Sequence, residues 1–394
     1  MAHIFTFATR MGSVPKSFLE TLFAVSRDPA IISFAGGLPS SDLIDVAGLK
    51  QATQEVLEED GCAALQYTTT DGYLPLRDFI ASRYRSRLGI PATPDMIQIV
   101  NGSQQCLDLL AKILINPGDR IGVERPGYLG AFEAFCLYEP VFVPVRLQPD
   151  GLDLTDFARM LSEKPPRFFY AVPNSQNPSG CTYSDSKRRE LARLIDGKDT
   201  LFYDDDAFGE LFFDNRSRPP IKKYLPDQTL MSGSFSKTIA PGLRIGWMFA
   251  PEAVLSQFNI AKQAADLHTN ILSQMILYRY LTTNDLDARL RTITSVYRAN
   301  CRLMCDLLDD LGSKRVTHTA PEGGIFLTAT LPPGVDSMNV FRKGIEKKVA
   351  VMPGIPFYTD GGGKNCIRLN FSNTDEERIK EGLARLFRVI SGLQ

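Results

Sequence analysis

The chain has 394 residues, of which 44% are hydrophobic and 23% charged, a composition typical of a globular protein with a large buried core. The 44 basic and 45 acidic residues nearly balance, and no basic block or acidic tail stands out, which argues against nucleic acid or a membrane surface as a partner. No apolar run reaches the roughly 18 residues of a membrane helix, and the first residues lack the apolar core of a signal peptide.

The first part of the chain, residues 1–45, carries little periodicity, and we expect it to pack against the smaller of two domains. Residues 46–285 are predicted to form the larger domain. Within it, short β-rich runs alternate with helical patterns, and the runs are 96–100, 120–124, 141–145, 167–172, 200–204, 229–234 and 244–250. This alternation predicts a three-layer α/β/α domain with a mostly parallel sheet of seven strands.

Two amphipathic stretches between these runs, residues 103–115 and 184–196, are predicted helices with leucines recurring on one face. Residues 286–394 are predicted to form a smaller α+β domain. It begins within a long helical stretch, continues through β-rich runs at 323–331, 349–357 and 366–372, and closes with a final helix.

Polar residues follow several of the predicted strands, at the sheet edge where α/β proteins bind ligands. Ser103 begins a helix and is predicted to be its N-cap, which would make the helix start an anion site or a plain cap. Asn177 lies in a Pro-rich turn that is either structural or aims amides into a cleft. Three carboxylates, Asp204, Asp205 and Asp206, end one strand, and together they predict a cationic partner. A metal ion is a possible partner, but no other cluster of ligating residues supports it.

The stretch SGSFSKTIAPGLRIGW, residues 232–247, places a single lysine, Lys237, among small hydroxyl and apolar residues. Lys237 is either a salt-bridge partner or a poorly solvated amine with a lowered pKa, able to attack a carbonyl. Arg244, seven residues later, is either part of an ion pair or a phosphate clamp.

Taken together, these residues predict one site. A helix start, hydroxyls and an arginine suit a phosphate, a carboxylate suits a protonated ring nitrogen, and a lysine suits a Schiff base. This set is what pyridoxal 5'-phosphate requires.

At this point the chain resembles the class I/II aminotransferases of the fold-type I pyridoxal phosphate superfamily. It is most similar to the branch of 2-aminoadipate aminotransferase and kynurenine aminotransferase II, whose domain also occurs in MocR-type regulators. The resemblance runs from IISFAGGLPSSDL (31–43) to IRLNFS (367–372), and its most specific strings are QNPSG and SFSKTIAPGLRIGW. It implies the aspartate-aminotransferase-like fold.

The resemblance also implies roles for individual residues. Lys237 would be the Schiff-base lysine and proton shuttle, and Asp205 would pair with the ring nitrogen. The other cofactor contacts would be Ser103, Gln104, Ser234 and Arg244 on the phosphate, Tyr128 stacked on the ring, Asn177 beside its 3-oxygen, and Tyr67 reaching the phosphate from the partner subunit of a homodimer.

The substrate contacts implied are Arg368, bidentate on the α-carboxylate, with Asn177 beside that carboxylate and Gly37 lining the pocket. The predicted activity is transfer of an amino group from an L-amino acid to a 2-oxo acid. An apolar or aromatic substrate side chain is favoured over a dicarboxylic one, because residues 11–23, expected to cover the pocket, are rich in apolar residues and contain only Lys16 as a basic side chain.

One position departs from the family pattern. Three residues after Asp205 the family has a tyrosine whose hydroxyl bonds the ring 3-oxygen, and this chain has Phe208. Losing that donor is expected to raise the pKa of the Schiff base. This departure keeps an alternative open, a pyridoxal phosphate enzyme of a biosynthetic pathway that performs elimination, decarboxylation or carbon–carbon bond formation.

Two further expectations concern the setting of the chain. A non-enzymatic sensor domain is disfavoured, because only about thirty residues precede the matching region, too few for a winged helix. The seven dispersed cysteines without a CxxC pair indicate reduced thiols in a cytoplasmic protein, and with three histidines in the chain we expect no metal site.

Overall fold

The computed structural model describes residues 5–12, 18, 28–311 and 315–393. The helices of this part are α1 Val46–Ala64, α2 Leu74–Leu88, α3 Ser103–Leu114, α4 Leu129–Cys136, α5 Leu154–Glu163, α6 Asp185–Ile195, α7 Glu252–Asp266, α8 Ile271–Thr283, α9 Leu286–Leu311, α10 Ser337–Glu346 and α11 Glu376–Ser391.

The strands of the same part are β1 Ile32–Ser33, β2 Ile97–Asn101, β3 Arg120–Arg125, β4 Val141–Gln148, β5 Gly151–Leu152, β6 Phe168–Ala171, β7 Leu201–Asp206, β8 Thr229–Ser234, β9 Ile245–Phe249, β10 Thr317–His318, β11 Phe326–Thr330, β12 Val349–Ala350, β13 Met352–Pro353 and β14 Cys366–Asn370.

An eight-stranded sheet organises the first half of the structure, in the order β2-β9-β8-β7-β6-β3-β4-β5. The central strands β8, β7, β6, β3 and β4 are mutually parallel, whereas β9 runs antiparallel to both of its neighbours. Every residue of β6 is buried, as expected for a parallel strand covered by helices on both faces. The carboxyl ends of β6, β7 and β8 therefore meet at one edge of the sheet.

The predicted fold class is confirmed, since each of the seven predicted runs corresponds to a strand of this mostly parallel sheet. The sheet also contains β5, a two-residue strand antiparallel to β4 that the prediction did not include. So short a strand leaves no periodicity to detect. The two amphipathic helices form as predicted, as α3 and α6.

A four-stranded antiparallel sheet, in the order β10-β11-β14-β13, organises the C-terminal part of the chain. Strand β14 is buried along most of its length and carries Arg368 and Asn370 on the same face, two residues apart. Strand β1 pairs in parallel with β12 in a separate two-stranded sheet, which ties the segment after residue 31 to the C-terminal part of the chain.

The domain bounds at residues 45/46 and 285/286 stay a prediction. Much of the N-terminal stretch expected to cover the pocket, including residues 13–17 and 19–27, lies outside the described residues. Among the helices that the structure describes, none has both the length and the hydropathy to cross a bilayer.

Candidate active site

A cavity of about 500 Å³ opens at the carboxyl ends of β6, β7 and β8. All of the predicted site residues except Tyr67 line it: Gly37, Ser103, Gln104, Tyr128, Asn177, Asp205, Ser234, Lys237, Arg244 and Arg368. Residues spread over more than 330 positions of the sequence thus face one volume of a size typical of small-molecule sites.

Asp205 lies near the end of β7 and is held by two hydroxyl donors. The Tyr170 hydroxyl donates to Oδ2 at 2.7 Å, and the Ser232 hydroxyl donates to Oδ1 at 2.8 Å. Burial raises the pKa of Asp205, and the two hydrogen bonds act in the opposite direction. Sequence reasoning missed both donors, although Ser232 pairs with Asp205 in the parallel register of β7 and β8.

The neighbouring carboxylates point to the other face of β7, because side chains alternate along a strand. Their cationic partner is Arg188 of α6, fully buried, whose charge lowers the pKa of both Asp204 and Asp206. Arg188 Nη2 donates to Asn174 Oδ1 at 2.7 Å, and Asn174 Nδ2 donates to Asp206 Oδ1 at 2.8 Å. Burial outweighs that charge and raises the pKa of Asp204 to about 7 and that of Asp206 to about 6.

Lys237 directs its amine into the cavity, where Nζ donates to the carbonyl oxygen of Gly37 at 2.8 Å. Desolvation is the main cause that lowers the Lys237 pKa, to about 8, and the charges of Arg368 and Arg244 act in the same direction. An amine with this pKa is partly neutral at physiological pH and can therefore act as a nucleophile and as a base.

The start of α3 and the loop after β8 form one end of the cavity. The Ser234 and Ser236 hydroxyl oxygens lie 3.0 Å apart, and Arg244 has a left-handed backbone with φ of 56°. A Cβ on Gly102 would lie 2.4 Å from Arg244 Nη2, so only glycine lets the guanidinium pack against the helix start. Hydroxyls, a helix N-terminus and a guanidinium together suit a phosphate.

The predicted N-cap at Ser103 is wrong. The cap position belongs to Gly102, whose φ of 74° glycine adopts readily, and Ser103 is the first residue of α3. The consequence for the site is small, because Ser103 still lines the cavity at the helix start.

Gln104 and Tyr128 form another wall. Gln104 Nε2 donates to the carbonyl oxygen of Gly130 at 2.8 Å, and the Tyr128 hydroxyl lies 3.4 Å from Gln104 Oε1. Burial raises the pKa of Tyr128 to about 12, so its ring is neutral at any working pH. A flat neutral ring at this place suits an aromatic ligand.

Arg368 faces this wall from the second sheet with only 3% of its surface exposed. Nη1 donates to Asn177 Oδ1 at 2.9 Å and Nη2 to the carbonyl oxygen of Ala35 at 2.6 Å, while Nε is buried without a partner. The Phe326 ring lies 4.0 Å below the guanidinium. Burial lowers the pKa of Arg368 to about 9. A buried guanidinium with no carboxylate beside it is suited to accept one from a ligand.

Tyr67 lies outside the cavity, with 78% of its surface exposed and its ring 5.8 Å from that of His268. Phe208, at the departure from the family pattern, lines the cavity and packs its ring edge to face with Phe326 at 6.0 Å. Further apolar lining residues that sequence reasoning missed are Leu38, Leu129, Val172, Ala207, Pro241 and Phe326.

The donor set fits pyridoxal phosphate and offers nothing to a metal. The structure supplies an anion end, a carboxylate held in place, an amine and a buried guanidinium with an unpartnered Nε around one cavity. Within the described residues, no three His, Cys, Asp or Glu side chains are grouped to hold a metal ion.

Comparison with known proteins agrees with this chemistry. The family model for aminotransferase class I and II matches residues 31–386. Aromatic-amino-acid aminotransferase 1 of Thermococcus litoralis is 37% identical over 98% of this chain and 94% of its own.

Two solved structures extend the comparison. The α-aminoadipate aminotransferase of Thermus thermophilus, complexed with N-(5'-phosphopyridoxyl)-L-leucine, superposes with a TM-score of 0.92 at 36% identity, over 98% of this chain and 97% of that one. The kynurenine aminotransferase of Pyrococcus horikoshii superposes with a TM-score of 0.93 at 35% identity, with the same coverage of 98% and 97%.

Proposed function

Because the chain belongs to the aminotransferase class I and II family and is a pyridoxal-phosphate-dependent aminotransferase, we propose that Lys237 is its Schiff-base and proton-transfer residue. The Lys237 amine supports this role, because it faces the same cavity as Asp205, Arg244 and Arg368. When bound, the cofactor supplies an electron sink for the charge left on the substrate Cα.

Each other residue then has one task. Asp205, fixed by Tyr170 and Ser232, would keep the proton on the ring nitrogen. Tyr128 would lie against the ring, and Asn177 would lie beside its 3-oxygen. The phosphate would be held by Ser103, Gln104, Ser234 and Arg244 at the start of α3.

The substrate is oriented by Arg368, whose guanidinium binds the α-carboxylate bidentately, while Gly37 lines the pocket beside it. Asn177, already bonded to Arg368 Nη1, lies next to the same carboxylate. With the substrate so held, the Lys237 amine would be the base that accepts the proton from the substrate Cα and later returns it. Its lowered pKa suits this work, since a base near neutral pH both accepts and returns the proton.

The preferred donor is an L-amino acid with an apolar or aromatic side chain. Lys237, Arg244 and Arg368 are the cations lining the cavity in the described part of the chain, and each already has a task. No described cation therefore remains for a second substrate carboxylate, while Leu38, Leu129, Phe208 and Phe326 offer apolar surface. The aromatic-amino-acid and kynurenine aminotransferases among the relatives are consistent with this choice, whereas the α-aminoadipate aminotransferase of Thermus thermophilus is named for a dicarboxylic donor.

The alternative outcomes of elimination, decarboxylation or carbon–carbon bond formation are not favoured, because the named relatives are aminotransferases over nearly their whole length. Phe208 then alters the pH behaviour of the cofactor rather than the class of reaction.

The active unit is a homodimer in which Tyr67 of one subunit reaches the phosphate bound by the other. Tyr67 lies outside its own cavity, and its surroundings are apolar and exposed, with Leu65 at 72% and Leu267 at 53%. Such a patch is typical of a protein interface.

The protein works in the cytoplasm, as its seven cysteines, all free, suggest. Fractionation of the cells that produce it, with recovery in the cytoplasmic fraction, tests this location.

Replacing Lys237 with alanine should abolish the donor half-reaction, the spectral conversion of cofactor from its pyridoxal to its pyridoxamine form, because no other described amine lines the cavity. We expect the rate constant of the half-reaction, followed by stopped-flow absorbance, to fall by at least about three orders of magnitude, because the general base and nucleophile is absent. The matched control is Lys222→Met, which removes a buried lysine outside the cavity and should leave the conversion within a factor of two. Full activity in Lys237→Ala would contradict the proposal.

A donor screen should favour phenylalanine and leucine over glutamate and 2-aminoadipate by about tenfold or more in the single-turnover rate, because a second carboxylate would be buried without a cation. Half-reactions are measured so that the 2-oxo acid acceptor does not enter. Leu38→Arg, which places a cation on the cavity wall, should narrow or reverse the preference. A native enzyme that converts glutamate as fast as leucine would refute this substrate class.

Phe208→Tyr should lower the pH midpoint of the cofactor's absorbance change by about one unit, because a hydroxyl donor to the ring 3-oxygen stabilises the deprotonated form. The measurement is a spectrophotometric pH titration of the enzyme without substrate. Phe213→Tyr adds a hydroxyl outside the cavity and is the control. An unchanged or raised midpoint in Phe208→Tyr would mean that position 208 does not face the 3-oxygen.

Sedimentation equilibrium should give twice the mass of the chain. Tyr67→Phe should leave that mass unchanged but weaken cofactor binding about tenfold, because one hydrogen bond to the phosphate is lost from across the interface. Cofactor affinity is read by fluorescence titration of the cofactor-free enzyme. A monomer with undiminished affinity would disprove both parts.

A further inference from the structure

The segment Ala35–Gly36–Gly37–Leu38, called here the wall segment, has every one of its four backbone carbonyls bonded to a side chain. Two of these carbonyls bind the cations of the site: Ala35 O accepts from Arg368 Nη2 at 2.6 Å, and Gly37 O accepts from Lys237 Nζ at 2.8 Å. The other two accept from Asn370, which has no task so far, and Leu38 O also accepts from the Ser372 hydroxyl at 2.9 Å.

Asn370 lies at the end of β14 with 1% of its surface exposed. Its Nδ2 donates to Gly36 O at 2.9 Å and to Leu38 O at 3.2 Å. Its Oδ1 accepts from the backbone N–H of Ser372 at 2.7 Å and of Asn373 at 3.2 Å, which fixes the amide in place. Both Nδ2 protons and the carbonyl oxygen are therefore in use.

The donors alternate along the segment. Ala35 O and Gly37 O accept from the two cations of the site, and Gly36 O and Leu38 O accept from Asn370. Arg368 and Asn370, two residues apart on β14, reach the same segment from the same face of that strand.

The wall segment needs this anchor because its centre is a glycine pair, which has no side chains to restrict the backbone. The hydrogen bonds from the cations are also temporary under the proposed function. Arg368 turns to the substrate carboxylate, and Lys237 alternates between cofactor and proton transfer. The Asn370 bonds involve neither cation and can therefore be kept through these steps.

We propose that Asn370 is a positioning residue that fixes the wall segment so that Gly37 O holds the Lys237 amine in place for proton transfer. A neutral amine that donates one N–H to Gly37 O keeps its lone pair free for the proton at Cα. Asn370 touches neither substrate nor cofactor and acts through two flanking carbonyls. The inference rests on the proposed role of Lys237.

The test compares Asn370→Ala with Asn300→Ala. Asn300 Nδ2 also bonds two carbonyls, Phe371 O at 3.0 Å and Thr374 O at 3.1 Å, but neither belongs to the wall segment. The first readout is the rate constant of the donor half-reaction at saturating L-leucine, with hydrogen or deuterium at Cα. We expect Asn370→Ala to lower it about tenfold and to enlarge the deuterium effect, since a misplaced base slows the proton transfer itself.

The second readout needs no activity. In the cofactor-free enzyme, acetylation of Lys237 by acetic anhydride is followed by mass spectrometry across pH, with a native midpoint near the Lys237 pKa of about 8. Asn370→Ala should raise this midpoint, because a loosened wall segment admits water and relieves the desolvation that lowers the pKa. Asn300→Ala should leave both readouts at native values.

Asn370→Asp serves if the alanine variant does not fold. It keeps the shape but replaces the donating amide with an acceptor, and it should be impaired at least as much. Native values in either readout for the position 370 variants overturn the inference, and so does equal impairment in Asn300→Ala. Retained activity in Lys237→Ala is a different result, since it would remove the proposed function itself.

Discussion

Two cations that share one cavity, the partly buried Lys237 and the buried Arg368, determine what the site can bind. Each has lost water and neither has a carboxylate beside it, and burial lowers the pKa of both. The structure compensates them with neutral oxygens, the carbonyls of Ala35 and Gly37 and the amide oxygen of Asn177. Neutral acceptors hold the cations in place without satisfying their charge, which leaves that charge available to an anionic ligand.

The carboxylates that end β7 differ in whether the protein supplies a cation for them. Asp205 faces the cavity and is held by two hydroxyls, so a cationic ring nitrogen is the partner still open to it. Asp204 and Asp206 face away and share the charge of Arg188. One strand thus separates a carboxylate kept for a ligand from two that serve the fold, through nothing more than the alternation of side chains.

Much of this could be predicted from the sequence. Strand and helix periodicity predicted the sheet around β6, β7 and β8. Because parallel strands end at the same edge of a sheet, the residues at their carboxyl ends were expected to lie close together. The ten predicted site residues that line the cavity, from Gly37 to Arg368, were named through the family resemblance, because its strings are specific, whereas the apolar lining residues were not predicted. The sequence pattern could not predict β5, which has only two residues. It also placed the N-cap of α3 one residue too late, at Ser103 instead of Gly102, whose positive φ is not visible in the sequence.

Partners that arise only in three dimensions were out of reach. Arg188 lies on α6, and the sequence pattern of that helix does not indicate that it packs near Asp206. Tyr170 on β6 donates a hydrogen bond to Asp205 on the neighbouring strand β7. Asn370 bonds carbonyls more than 330 positions away, and backbone acceptors leave no mark on a sequence. Register could have suggested Ser232 alone among these, as the partner of Asp205 in β8.

Borohydride reduction of the native enzyme, followed by peptide mapping, identifies the lysine that carries the cofactor. Reduction fixes the bond between the cofactor and its lysine, and mass spectrometry then locates the phosphopyridoxyl group. We expect this group on Lys237 alone. Its appearance instead on a buried lysine, Lys222 or Lys262, would rule out Lys237 as the residue that carries the cofactor.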